Sequence, residues 1–149
     1  MSTWRGWEVH DFGVVMSPQR SSASAFNLTR DAYLATHLVV AGTHWSRFRG
    51  LMGRDVDEFP AGQGLWIIPS HGVHTFCMRF PIDVAYLDDR KFVVHLEHGL
   101  KPWRVAAVRL NAKSILELPE NTLIATATSI GDEIRITRKD ETRDEADPA

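Results

Sequence analysis

The chain has 149 residues, 44% hydrophobic and 24% charged, with 17 basic against 19 acidic side chains and a net charge of −2. That balance suits one globular domain with a core of its own and excludes the basic footprint of a nucleic-acid-binding protein. The single cysteine, Cys77, excludes an internal disulfide, and no apolar run approaches the ~18 residues of a membrane helix, so the expected location is the cytoplasm.

In chain order, residues 1–24 read as a flexible leader. The run SASA (22–25) has the small residues of a signal-peptidase site, but Arg5, Glu8, His10, Asp11 and Arg20 precede it where an export signal is apolar. Residues 25–137 form the expected single β-rich domain, and the charged stretch 138–149 reads as a disordered tail. Within the domain, residues 26–42 predict two short strands around Arg30-Asp31. Thr43 is placed to cap a helix near residues 44–53. There Trp45, Phe48, Leu51 and Met52 form an apolar stripe, while Arg47, Arg49 and Arg54 project elsewhere. GLWIIP (64–69) predicts a buried strand ended by Pro69. HTFCMRFPIDVAYLD (74–88) predicts two strands broken at Phe80-Pro81, with a trans bond expected there. Residues 84–96 predict a hairpin turning at 88–91. GLKPWR (99–104) reads as a loop pinned by Trp103, and residues 114–118 as a strand ended by Pro119. Residues 123–128 fit either a short helix or a strand, and 133–137 give the last strand. Roughly seven to nine short strands without a βαβ rhythm predict a mainly β, antiparallel, jelly-roll-like sandwich or barrel with one short helix near residues 44–53.

The block 74–88 holds the chemistry. A strand would place His74, Phe76 and Met78 on one face and Thr75, Cys77 and Arg79 on the other. His74 could be a core histidine bonded to a carbonyl, a pocket acid or base, or a metal ligand. Asp83 has small and apolar face-mates, and burying it unpaired would be costly. It either caps backbone N–H groups after Pro81 or meets His74 or an arginine (Arg79, Arg49 or Arg47) in a shared pocket. Strand parity opposes a Cys77–His74 dyad, so Cys77 reads as a small hydrophobe.

Elsewhere, His71/His74 and His95/His98 have helix-like spacing in strand-like sequence, and neither HExxH nor CxxC occurs, so no metal or other cofactor is expected. Phosphate loops and a GxSxG elbow are also missing. Met52, Trp66 and Met78 could line an apolar pocket or simply fill the core. Glu117, between Leu116 and Leu118, is either an exposed strand residue or a carboxylate delivered to the same pocket as Asp83, where one of the two would have a raised pKa.

Taken together, RFRGLMGR (47–54), GLWIIP, VHTFCMRFPIDVAYLD, LKPWR, SILELP and GDEIRI resemble the bacterial and archaeal family called domain of unknown function 192, over roughly residues 25–137. The resemblance implies a compact β fold of jelly-roll type. The family positions present here are Arg49, Gly50, Leu51, Met52, His74, Met78, Asp83 and Glu117. Cys77 departs from the glycine or aromatic of near relatives. Many relatives carry an export signal or membrane anchor, which is not transferred to this chain. The resemblance implies no activity.

The leading functional expectation is a binding domain for a small anionic or polar ligand. Its pocket would be lined by Arg49, His74 and Asp83, with Met52, Met78, Arg79 and Glu117 contributing. One alternative is an enzyme using His74 as acid or base, oriented by Asp83, with Arg49 or Arg79 holding developing negative charge. The other is a protein-interaction module anchored by Trp66 or Trp103. No nucleic-acid partner and no membrane segment are expected, and a protein partner is left open.

Overall fold

Strands form where β-branched and aromatic residues cluster between turn residues. The computed structural model describes residues 23–42 and 51–139. Among them are β1 Ala23–Asn27, β2 Ala32–Ala41, β3 Gln63–Ile67, β4 Ile82–Leu87, β5 Val93–Leu100, β6 Ser114–Pro119 and β7 Ile134–Arg138. They make one seven-stranded sheet in the order β5-β4-β6-β3-β2-β1-β7. Its outer strands meet where they begin: Phe92 bridges Glu133, and the Val93 and Ile134 N–H groups donate to Asp132 and Lys91 carbonyls at 2.9 Å each. The sheet therefore curls into a half-barrel, and the mainly β expectation holds.

The pairing is antiparallel as expected except at one place. β2 and β3 run parallel, with Leu38 opposite Gly64 and Val40 opposite Trp66. A parallel pair needs a long crossover, supplied here by residues 42–62. The predicted helix lies largely outside the described residues, and its end, Leu51 to Gly53, is a turn. The described α-helix is instead α1, Thr122–Ala125, which settles the ambiguity at 123–128. A single 3-10 turn spans Val56–Glu58. Among the described residues the cis peptide bond is Ile68-Pro69, so Phe80-Pro81 is trans.

The two faces of the sheet carry separate cores. Leu34, Leu38, Trp66, Leu87, Leu116 and Leu118 pack with Leu123 of α1 and Ile134 of β7. This cluster draws on all seven strands and is the inside of the curl. On the outer face Leu65, Ile67, Val84, Tyr86 and Ile115 are roofed by Leu51, Phe59, Val73, Met78, Ala106 and Ala112 from the connecting segments. Each fully buried aliphatic side chain contributes about 1.5–3 kcal/mol, so both faces are well anchored. A bulge in β2 shifts the register between Ala23 opposite Leu38 and Ala25 opposite Ala35. Thr36 and His37 are therefore both exposed, although successive side chains of a regular strand point to opposite faces.

The roof also departs from expectation. Residues 74–79 are not a strand: His74 makes an isolated bridge with Val105, and Cys77 takes a left-handed φ of 60°. Thr75 and Met78 are buried while Phe76 and Cys77 are exposed, so the parity argument about Cys77 and His74 loses its premise. The expected loop 99–104 begins only after Leu100, the end of β5, and the side chain of Trp103 does not pin it, being 61% exposed. Thr75 does. Its hydroxyl donates to the Lys101 carbonyl at 2.6 Å and accepts from Arg104 N–H at 2.9 Å.

Candidate functional site

Two carboxylates, one residue out of step across paired strands, define the chemistry of the sheet. Asp83 on β4 lies opposite Leu118 on β6, and Glu117 lies opposite Val84. Directly paired residues share a face, so Asp83 points into the curl and Glu117 points outward under the roof. The shared pocket considered for them does not form, because a one-residue offset reverses the face.

Asp83 is 1% exposed. Its Oδ1 accepts from Gly99 N–H and its Oδ2 from Leu123 N–H, each at 2.9 Å. Leu123 lies in the first turn of α1, where N–H groups have no partner within the helix. The capping residue Asn121, at φ 72°, makes no side-chain cap bond. Asp83 supplies the missing acceptor across the fold. The backbone-capping alternative is thus the arrangement found, although at Gly99 and α1 rather than at the turn after Pro81.

Glu117 is 3% exposed, and its Oε2 has no hydrogen-bond partner among the described residues. Burial pushes its carboxyl up from the ordinary 4.5 to about 8, because removal from water penalises the anion. Near neutral pH it is largely a protonated acid, able both to donate and to accept.

Around this face lies a cluster that sequence reasoning missed. Tyr86 is opposite His95, and Val84 is opposite Glu97, which puts all four side chains on Glu117's side of the sheet. The His95 ring meets the Tyr86 ring edge-on at 5.2 Å. His95 Nε2 lies 3.0 Å from Glu97 Oε1 and 3.4 Å from Arg109 Nη2. One nitrogen cannot donate and accept at once, and the shorter carboxylate contact calls for Nε2–H. Arg109 then leans on the ring without a hydrogen bond from it. Arg109 Nε is also buried without a partner among the described residues. The Tyr86 hydroxyl donates to the Ala107 carbonyl at 3.3 Å. Its pKa is pushed up to about 12 by burial first and then by Glu97, with Glu117 adding and Arg109 opposing. Phenol, imidazole, guanidinium and two carboxyls thus share one electrostatic neighbourhood. A signal existed in the sequence: His95 and Glu97 stand two apart, the spacing of one strand face.

The other expected residues are scattered. Arg47 and Arg49 lie outside the described residues. Met52 is half-buried beside Leu51, and Met78 belongs to the outer core. Arg79 pairs with Asp55 at 2.7 Å, both side chains exposed. His74 is half-buried, with its ring stacked on Phe76 at 5.1 Å. It belongs to the roof, so the sheet stands between it and Asp83. Trp66 is buried and Trp103 exposed. No cluster of three potential metal ligands occurs among the described residues. A separate cleft of about 430 Å³ opens beside Phe59, Phe80, Pro81 and Pro119, with Asp57 and Glu120 among its lining. None of the expected site residues lines it.

A curled sheet with one face folded inward and the other roofed by loops, each enclosing a carboxylate, defines a class of small β domain. Residues 26–136 match the model of the DUF192 family, described as "Uncharacterized ACR", and the chain belongs to that family. It is 33% identical over 113 residues to a UPF0127 protein of Thermococcus sibiricus, covering 72% of this chain and 71% of that one. It is 32% identical over 117 residues to a UPF0127 protein of Pyrococcus furiosus, covering 75% and 97%. A solved protein of unknown function from Novosphingobium aromaticivorans shares the fold with TM-score 0.66 at 15% identity, covering 76% of this chain and 83% of that one.

Proposed function

We propose that this is a binding domain for a small anionic or polar ligand, held between the outer face of the sheet and its roof. The observation that carries the reading is that two of the buried polar atoms left without protein partners among the described residues, Glu117 Oε2 and Arg109 Nε, belong to this one cluster; Trp66 Nε1 and Ser114 Oγ are others and lie outside it. Buried polar groups are nearly always hydrogen-bonded, and an exception calls for an explanation. A ligand offering an acceptor to Arg109 and a hydroxyl, amide or second acceptor to the protonated Glu117 would satisfy both. Arg109 takes the part expected of Arg49, and Glu117 remains from the expected set. Entry requires the roof to lift. The roof is built from turns and isolated bridges, which open at lower cost than paired strands.

Thermal shift with inorganic phosphate, succinate, acetate and glucose tests this. A bound probe raises the melting temperature by mass action, about 2.7 kcal/mol of stabilisation at a hundred times its Kd. The expected result is a shift with at least one probe that is lost in Arg109→Gln. If no probe shifts the wild type while Arg109→Gln lowers the melting temperature, the cluster is structural and the reading fails. A second reading, attachment to a larger surface, is favoured by the exposure of Trp103. Trp66 has no part in it, being buried.

A further inference from the structure

The segments 71–79 and 101–113 lie against each other as the visible edge of the roof. Phe76 and Trp103 sit with ring centroids 6.2 Å apart. His74 bridges Val105. Val108 sits over Gly72, close enough that a Cβ there would lie 3.3 Å from its methyl carbon. The result is a continuous row of outward apolar side chains: Phe76, Trp103, Val105 and Val108, with Leu110, 78% exposed, beyond it. Monomeric proteins rarely expose such a row without a use for it. Trp103 is also held in the left-handed region at φ 61°, a costly conformation for a bulky residue. Its N–H donates to the Thr75 carbonyl at 2.9 Å, which holds this backbone against the neighbouring segment.

The charge on this ribbon is one-sided. Neither segment contains an Asp or Glu, in a chain whose overall charge is −2. Lys101, Arg104 and Lys113 are exposed along it. We infer that the ribbon docks this protein onto an anionic lipid bilayer surface. Interleaved Trp, aliphatic and basic side chains are what the headgroup–acyl boundary accepts: the apolar groups enter and the cations meet lipid phosphates. A nucleic acid would leave Val105, Val108 and Leu110 without partners, since it offers phosphates and stacking faces. A protein anchor would concentrate in one or two large side chains seeking a pocket, whereas here the exposed apolar surface is spread over five residues with basic side chains among them. The inference rests on the attachment reading and is independent of Glu117 and Arg109.

The test is co-sedimentation of the full chain with vesicles of phosphatidylcholine alone or mixed with phosphatidylglycerol. Binding is expected to the mixed vesicles only, and to weaken with added salt. Arg104→Glu weakens partitioning about fivefold or more. Leu110→Asp and Trp103→Ala each weaken it on the order of tenfold, with unchanged circular dichroism because both side chains are exposed. Failure to sediment with either vesicle overturns the inference. So does equal binding by all three variants, or concentration-dependent self-association that Leu110→Asp abolishes while lipid binding is absent, which would assign the ribbon to a second copy of the chain.

Discussion

The inner and outer faces of this sheet each bury a carboxyl group, and the two are treated in opposite ways. On the inner face Asp83 has an N–H donor for each oxygen, from Gly99 and Leu123. On the outer face Glu117 has an oxygen with no partner among the described residues. The donors to Asp83 are backbone groups that would themselves be orphaned without it, so Asp83 serves the fold. Glu117 answers no such need, and a protein of this size could fill its position with leucine. Burial alone therefore does not mark a functional acid; unmet hydrogen-bonding capacity does.

The sharpest way to break the comparison is Asp83→Ala. It removes two charge-assisted bonds, each worth about 1.5–3 kcal/mol, and should lower unfolding free energy by roughly 3–6 kcal/mol in urea titration. A loss below 1 kcal/mol, by contrast with the ~2–5 of a typical severe core change, would mean that Asp83 is no anchor.

The second is pH dependence. Glu117 binds its proton more tightly folded than unfolded, so its contribution to stability is complete below the ordinary 4.5 and is lost as pH rises through about 8. The expected fall is up to about 1.4 kcal/mol per pH unit across that window, and Glu117→Gln should flatten it. Asp132, beside the inner core, has the opposite sign. Burial alone would raise its pKa, but hydrogen bonds from Arg30, Asn27 and Ser129, with the charge of Arg30, hold it below the ordinary carboxylate value. Its stabilisation is present above the unfolded value of 3.8 and is lost as pH falls through the folded one. Denaturation midpoints across the pH range should therefore show an acid loss removed by Asp132→Asn and a separate loss between pH 4.5 and about 8 removed by Glu117→Gln.

Thr75→Val should cost about 1–2 kcal/mol and speed amide exchange at Trp103 and Arg104, because it unties the roof without touching the sheet. The smallest effect is expected at the surface: Arg79→Ala breaks the exposed pair with Asp55 and should leave the melting temperature unchanged within error.

Much of the fold could be read from local signals. The hairpin between β4 and β5 was legible because Asp88 is a turn former. In the structure its Oδ1 accepts the Arg90 and Phe92 N–H groups at 2.9 and 2.8 Å. Proline marked the end of β6, and the DUF192 motifs marked the family. The site was harder to read. Alternation within ILELP tells which side of β6 Glu117 takes relative to Leu116, and alternation within IDVAYL does the same for Asp83. Neither tells how the two strands are aligned, and that alignment alone decides whether the carboxyls meet. The roof resisted for a different reason. HTFCMR alternates as a strand does, yet the turn at Phe76 and Cys77 overrides that period through contacts with residues 101–104, which no local pattern encodes. Arg109 was missed because it sits in an apolar connecting segment without a motif.

The pairing of β1 with β7 has a consequence for how the protein is made. Ala23 lies opposite Arg138 and Asn27 opposite Ile134, so β1 has one flank that waits for β7. β2 can form a hairpin with β1 early, but β7 also supplies Ile134 to the inner core and holds the Lys91 carbonyl at the seam. The sheet cannot curl shut until β7 has been made. Such sequence-distant pairing is slow to form and leaves a strand flank open to other chains meanwhile. The same geometry sets the ends of β1 and β7 side by side, so a short linker joining them, with new termini opened in the hairpin at 88–91, should let the seam form first.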